Sequence, residues 1–196
     1  MSRIFDILGV DSDRCYRDRY VDWLGANHNV QTVGDGRSAL EAVGDDLDLV
    51  VLEREVPDTS GQEVARRIRD RNPGCHILMV GSEAADFDIV ECPIDSYLQK
   101  PLDRSDLDGV IEQYRTQTRY QSALEEFFRL TSKLGALEAE HTRETLLEDG
   151  RYRRLTRRVE QKRAEVDEAL SKHETDWSLA FKTCTRAVDG DVVSGP

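Results

Sequence analysis

Leu47-Asp48-Leu49-Val50-Val51-Leu52-Glu53-Arg54-Glu55-Val56-Pro57 is the stretch that decides the fold. The run up to Leu52 is short, rich in Leu and Val, and closed by charged residues and a proline. A strand buried on both faces of a parallel sheet reads this way. In an open parallel sheet, reacting groups stand outside the carboxyl ends of the strands. Glu53 is therefore a carboxylate placed where a reactive group would stand.

Outward from this strand, the first 115 residues alternate strand-like and helix-like runs. The strand-like runs are 4–10, 30–33, 47–52, 77–80 and 96–98. Between them lie helix-like runs near 14–24, 37–43 and 61–69, a thin one near 87–90, and one at 104–114. Turn signals separate them at Gly34-Asp35-Gly36, Gly44-Asp45-Asp46 and Asn72-Pro73-Gly74. Strictly alternating βαβα with short connections predicts an α/β fold, a doubly wound five-stranded parallel sheet.

Ordered landmarks sit at the carboxyl ends of these strands. Val10-Asp11-Ser12-Asp13 follows the first, Glu53 ends the third, and Pro57 and Gly61 come after it. Gly81-Ser82 follows the fourth strand, and Tyr97 stands three residues before Lys100-Pro101 after the fifth. The pattern resembles the receiver domain of two-component response regulators over about residues 3–115. That resemblance implies a flavodoxin-like fold in which an aspartate at the Glu53 position accepts a phosphoryl group. It also implies a pair of acids holding Mg²⁺ at Asp11 and Ser12, with Asp13 one residue late, and a Thr or Ser at Gly81, with Ser82 one residue late. Tyr97 matches the switch aromatic of the family. Lys100-Pro101 matches its lysine and proline, and a cis bond before Pro101 is implied.

Three departures fall together at this site. Phosphoryl transfer needs an in-line carboxylate, a metal to neutralise charge and a fixed cation. Glu in place of Asp carries the carboxylate about 1.5 Å further out, enough to disturb an in-line geometry. Ser12 removes a charged ligand from a cation that demands near-ideal oxygen coordination. Gly81 has no hydroxyl for the product. Asp11 and Asp13 remain, at most, as ligands of a weakened Mg²⁺ site, and no other cofactor is expected. The sequence therefore predicts a receiver with an impaired phosphorylation site and no enzymatic activity. Two readings of Glu53 stay open beside residual phosphorylation, at Glu53 or elsewhere: it holds Lys100 as a mimic of the phosphorylated state, or the pair only fills the pocket.

Past Tyr114 the pattern changes to helical spacing without proline until Pro196. Tyr120, Leu124, Phe127 and Leu134 make one stripe, widened by Phe128, Leu130 and Leu137. Thr142 is a candidate cap for a new helix. Tyr152, Leu155, Val159, Val166, Ala169 and Leu170 make a second stripe, interrupted by Gly150 and Lys162. Two such helices predict an antiparallel hairpin or coiled coil. The aromatic segment Trp177, Leu179 and Phe181 is expected to fold back on it, ahead of a solvated tail. Phe127-Phe128-Arg129-Leu130-Thr131-Ser132-Lys133, Ala136-Leu137-Glu138-Ala139-Glu140, Arg157-Arg158-Val159-Glu160 and Val166-Asp167-Glu168-Ala169-Leu170 resemble the HalX domain found behind receivers in haloarchaea. The expected division is 1–116 receiver, 117–186 HalX-like helices and 187–196 tail.

Charge and cysteine usage bound the function. The net charge is −12, and only five of the 27 basic residues are lysines. Residues 1–115 carry 13 basic and 24 acidic side chains, whereas 116–196 carry 14 and 15. A lysine-poor acidic surface suits high salt, which screens self-repulsion between carboxylates. The scattered Cys15, Cys75, Cys92 and Cys184 form no zinc spacing and read as reduced thiols of a cytoplasmic protein. No apolar run is long enough for a membrane span.

Arg151, Arg153, Arg154, Arg157, Arg158, Lys162 and Arg163 crowd one helix against Glu160. Such a helix can track phosphates, but pairing with the acids of the partner helix (Glu125, Glu126, Glu138, Glu140, Glu144) or with the acidic receiver is the favoured expectation. No helix-turn-helix or zinc-finger pattern accompanies it, so direct nucleic-acid binding is disfavoured. The expected partners are proteins, a sensor kinase or a downstream regulator, together with a homodimer along the helical region. The alternatives are a transcriptional regulator reading DNA through the basic helix, or a receiver with residual phosphorylation.

Overall fold

A computed structural model describes residues 3–188, with side chains described through residue 170. The first compact unit spans Met1–Val110 and the second Ile111–Pro196. The first carries β1 (Asp6–Val10), α1 (Arg14–Leu24), β2 (Asn29–Val33), α2 (Gly36–Ala42) and β3 (Leu49–Glu53). It continues with β4 (Glu55–Val56), β5 (Thr59–Ser60), α3 (Gly61–Arg71), β6 (His76–Gly81) and β7 (Ser96–Gln99).

β1, β2, β3, β6 and β7 form one all-parallel sheet in the order β2-β1-β3-β6-β7. β3 and β6 lie in its middle, which explains their unbroken apolar runs: Leu49, Val50, Val51, Leu52, Ile77, Leu78, Met79 and Val80 are all at most 1% exposed. Val64, Ala65 and Ile68 of α3 and Ala39 of α2 close one face of this core. Removing such apolar area from water stabilises the fold by about 25 cal/mol per Å².

Helix starts are written locally. Asp13, Asp35 and Ser60 each turn a side-chain oxygen onto a backbone N–H in the first turn of α1, α2 and α3. The thin run near 87–90 forms only a 3-10 turn, Phe87–Glu91. Its apolar residues do not reach a core: Phe87 is 88% exposed and Val90 79%. Sequence periodicity missed the small antiparallel β4–β5 hairpin that follows Glu53. Each of its strands is two residues long, too short to show a period.

The helix expected at 104–114 does not stop there. α4 runs Arg104–Glu140, so the unit boundary falls inside it. In the second unit Thr142 caps α5 (Arg143–Glu148), its hydroxyl accepting from the Thr145 N–H. The chain then breaks at Asp149 and restarts as α6 (Gly150–Val188). The expected two-helix hairpin is thus two long helices joined through a short one.

Among the described residues, Ile111, Ala123, Leu130, Leu146 and Val166 are the buried side chains of this unit, with Phe127, Leu134, Leu137, Tyr152, Leu155 and Val159 half-buried between them. Phe128 and Leu170 correct the expected stripes: they are 59% and 39% exposed. Phe128 follows Phe127 by one residue, about 100° further round the helix. Lys162, which interrupts the second stripe, stays half-buried by bonding Glu126 at 3.0 Å and Glu165 at 2.7 Å. The backbone of 177–181 continues α6, which also takes in residues 187 and 188 of the expected 187–196 tail; the side chains of 177–181 and the rest of that tail lie outside the described residues.

Candidate functional site

Strand ends bring the predicted residues together at the carboxyl edge of the sheet. Asp11 follows β1 and is fully buried, Glu53 ends β3, and Lys100 follows β7. The Lys100 ammonium stands 2.8 Å from Asp11 Oδ2 and 2.8 Å from Glu53 Oε1. Its side chain is 10% exposed, and those of Asp11 and Glu53 are 0% and 14%. The peptide bond between Lys100 and Pro101 is cis, as the family resemblance implied.

Each oxygen of the two carboxylates is taken by a protein donor. The Asp13 N–H donates to Asp11 Oδ1 at 3.0 Å, and the Tyr20 hydroxyl donates to Asp11 Oδ2 at 2.9 Å. The Ser12 N–H donates to Glu53 Oε2 at 2.7 Å. Burial opposes the charge on Glu53, but the hydrogen bonds from Lys100 and Ser12 outweigh it and hold its carboxyl below the ordinary value. On Asp11 burial wins over the same lysine and raises the carboxyl. On Lys100 burial is outweighed by both carboxylates, and the ammonium is held above its ordinary value.

Mg²⁺ does not fit this arrangement. The cation between the carboxylates is the lysine, and the carboxylate oxygens already serve N–H, O–H and ammonium donors. Asp13, the other expected ligand, caps α1, its carboxylate accepting from the Cys15 N–H at 2.8 Å. Among the described residues, no group of three or more His, Cys, Asp or Glu is placed to hold a metal ion.

The hydroxyl position of the site is replaced by an aromatic one. Gly81 is buried at the end of β6, and a side chain there would collide with the Tyr97 hydroxyl. Tyr97 is half-buried against the sheet core and donates to the Glu83 carbonyl at 2.8 Å. Arg54 lies beside the same space and reaches Asp88 at 2.7 Å. Ser82 is exposed, its carbonyl accepting from Gln99 Nε2 at 3.3 Å.

Sequence reasoning missed three members of the site. Tyr20, 1% exposed, orients Asp11. Tyr16 sets its ring 4.1 Å from the Lys100 ammonium, a cation–π contact. Arg17 Nη1 donates to the carbonyls of Asp11 at 2.7 Å and Ser12 at 2.9 Å. The i, i+4 spacing of Tyr16 and Tyr20 on the first helix was the available signal, since it puts both rings on one face.

On the second unit, the basic helix is partly spent on carboxylates. Arg158 meets Glu126 at 2.9 Å, and Lys162 meets Glu126 and Glu165. Arg151 pairs with Asp149 at 2.6 Å and Arg163 with Asp167 at 4.0 Å. Of the other expected acids, Glu138 instead accepts from the Tyr152 hydroxyl at 2.8 Å. Arg153, Arg154 and Arg157 are exposed and have no ion pair among the described residues. Cys15, Cys75 and Cys92 are free thiols, and no described helix is long and apolar enough to cross a membrane.

Two family models match the chain: the response regulator receiver domain over residues 7–112 and the HalX domain over residues 116–180. A Haloferax volcanii protein named as a transcriptional regulator is 34% identical over 178 residues, covering 90% of this chain. The chain spans only 30% of that relative's length. The Bacillus subtilis transcriptional regulatory protein YrkP is 30% identical over 193 residues, covering 92% of this chain and 83% of its own. Among solved structures, a CheY-like receiver domain from Methanospirillum hungatei aligns with a TM-score of 0.53 at 21% identity, over 59% of this chain and 96% of its own. The BeF3-activated DrrB receiver domain aligns with a TM-score of 0.53 at 23% identity, over 57% of this chain and 97% of its own. These structural likenesses show the fold.

Proposed function

We propose, for a chain that belongs to the response regulator receiver family and carries a HalX domain behind its receiver, that it signals without phosphoryl transfer. The receiver is held in one state by Glu53 and works through protein contacts. The observation that carries this reading is the Lys100 ammonium, bonded at 2.8 Å to both Glu53 and Asp11. In this state the extra methylene of Glu53 places a carboxylate against the lysine without a transferred group. A Coulombic contact of this length in a site mostly closed to water is strong enough to hold the strand ends in one arrangement.

Tyr97 favours the held state over an inert filler. With Gly81 in place of a hydroxyl-bearing residue, the phenol tucks inward and hydrogen-bonds Glu83 O. The switch aromatic thus occupies the space beside Gly81 while Lys100 is bonded to Glu53. Output by direct DNA reading is the weaker alternative, because Arg151, Arg158, Lys162 and Arg163 are engaged by carboxylates of the same unit.

The test is acetyl phosphate with Mg²⁺ on the whole chain, followed by intact-mass analysis. The expected result is no phosphoryl gain for the native chain or for Glu53→Asp alone. A gain appears when Ser12→Asp and Gly81→Thr accompany Glu53→Asp. Stoichiometric phosphorylation of native Glu53 would overturn the reading.

A further inference from the structure

The second unit holds a groove whose arginines have no ion pair among the described residues. It lies between α5 and α6, has a cavity of about 390 Å³, and is lined by Arg143, Arg153, Arg157, Leu146, Leu147 and Tyr152, and by one acid, Glu160. The three arginines have no ion pair among the described residues, unlike Arg151, Arg158, Lys162 and Arg163 on the same helix. Leu147 is 53% exposed, so the groove offers apolar surface between cations. A phosphate backbone uses the cations but not the leucine. A segment that alternates acids with large apolar residues uses both.

The first unit presents such a segment. No lysine or arginine occurs between Arg71 and Lys100, while Glu83, Asp86, Asp88 and Glu91 fall in this interval. Among them Phe87 is 88% exposed and Val90 79%, the two most exposed large apolar side chains described. They stand on the 3-10 turn Phe87–Glu91, which Asp86 caps and Arg54 pins through Asp88. Exposed aromatic residues rimmed by charge are the usual anchors of a protein interface.

We propose that the 83–91 segment of one copy docks into the α5–α6 groove of a second copy, Phe87 and Val90 entering beside Leu147 and the acids facing Arg143, Arg153 and Arg157. Each chain carries one segment and one groove, and an exchange that is reciprocal between two copies satisfies both contacts. At high ionic strength the Debye length falls to about 3 Å. The charges then select the partner only at contact, and the apolar anchors carry the affinity.

Sedimentation equilibrium of the whole chain in high potassium chloride, over a range of concentration, tests this. A concentration-dependent dimer is expected, and Phe87→Ser with Val90→Ser weakens it by roughly tenfold or more. Charge reversal gives the decisive arm. Arg153→Glu with Arg157→Glu is monomeric, as is Asp86→Lys with Glu91→Lys, because both contacts in each homodimer become like-charged. An equimolar mixture of the two variants dimerises, because both contacts become complementary again. A native monomer at every concentration, a dimer indifferent to these substitutions, or a mixture that stays monomeric overturns the proposal. So does a groove variant that keeps its dimer and loses only salt-sensitive retention of duplex DNA, which would assign the groove to nucleic acid.

Discussion

The Tyr97 hydroxyl fills the space that a side chain at position 81 would need, and Gly81 is what leaves that space open. Gly81→Thr therefore displaces the phenol or strains the end of β6. Overpacking of this kind costs about 1–3 kcal/mol. Carbon-13 tyrosine spectra, assigned with Tyr97→Phe, read the outcome directly. The expected result is a shifted Tyr97 signal and an earlier unfolding midpoint in Gly81→Thr. An unmoved Tyr97 resonance would show that the phenol does not depend on the glycine.

Lys100 neutralises two carboxylates that have little access to water. Lys100→Met leaves Asp11 and Glu53 facing one another uncompensated, and breaking a buried pair in this way costs about 3–5 kcal/mol. Glu53→Gln costs less, since Asp11 keeps the lysine. Denaturant titrations at neutral pH should rank Lys100→Met well below Glu53→Gln, with the native chain highest. Equal losses would mean that the lysine is not the central charge.

The Glu53 pairing also sets an acid-side stability window. The folded pKa of Glu53 lies below its ordinary 4.5. Its contribution is therefore present above that value and is lost as the pH falls through the folded pKa. Asp11 acts in the opposite sense: burial raises its carboxyl above 3.8, so its contribution is present below that value and disappears as pH rises through the folded pKa. Glu53→Gln should flatten the loss of stability below about pH 4.5, measured as unfolding midpoint against pH. An unchanged acid limb in Glu53→Gln would place that titration elsewhere.

His76 governs a window nearer neutrality. It is 6% exposed at the start of β6, with Ser96 Oγ at 3.1 Å from Nε2, Asp95 at 3.7 Å from Nδ1, and Arg69 bonded to the same Asp95 oxygen. Burial lowers its pKa below 6.5, and the Asp95 carboxylate only partly offsets this. The unfolded chain thus binds the proton more readily. Stability is complete above 6.5 and falls as pH drops below it toward the folded value. His76→Asn should flatten this limb, and proton NMR of His76 should report a pKa below that of an unfolded control.

The sheet was legible because its central strands are buried on both faces and so carry unbroken apolar runs, as Val50, Val51 and Leu52 do. The Glu53, Asp11 and Lys100 convergence followed from strand ends meeting at one edge. The supporting shell was harder to see, because Tyr20 reads as an ordinary helix-face aromatic until Asp11 is placed beneath it. The capping role of Asp13 was hard to see for a related reason: an acid near β1 reads alike as a ligand or a helix cap until its hydrogen bond to Cys15 N–H is placed. The β4–β5 hairpin left no periodic signal, and α5 was hidden because six residues do not establish a helical stripe.

Packing of the second unit separates adjacent residues that the sequence presents alike. Leu130 is 2% exposed on the α4 seam, whereas Phe128, two residues earlier, is 59% exposed. Burial rather than side-chain size decides the cost of truncation. Leu130→Ala should cost about 2–5 kcal/mol through lost contacts and the cavity left behind, while Phe128→Ala stays within about 0.5 kcal/mol. Helical ellipticity followed through urea unfolding of the whole chain distinguishes them. Leu130→Ala should advance the loss of the α4 and α6 signal and leave hydrogen-exchange protection of the β3 and β6 amides intact. A larger loss from Phe128→Ala than from Leu130→Ala would mean that the seam faces the other side of α4, and that Phe128 is covered in solution by a contact stronger than the one along Ala123, Phe127 and Leu134.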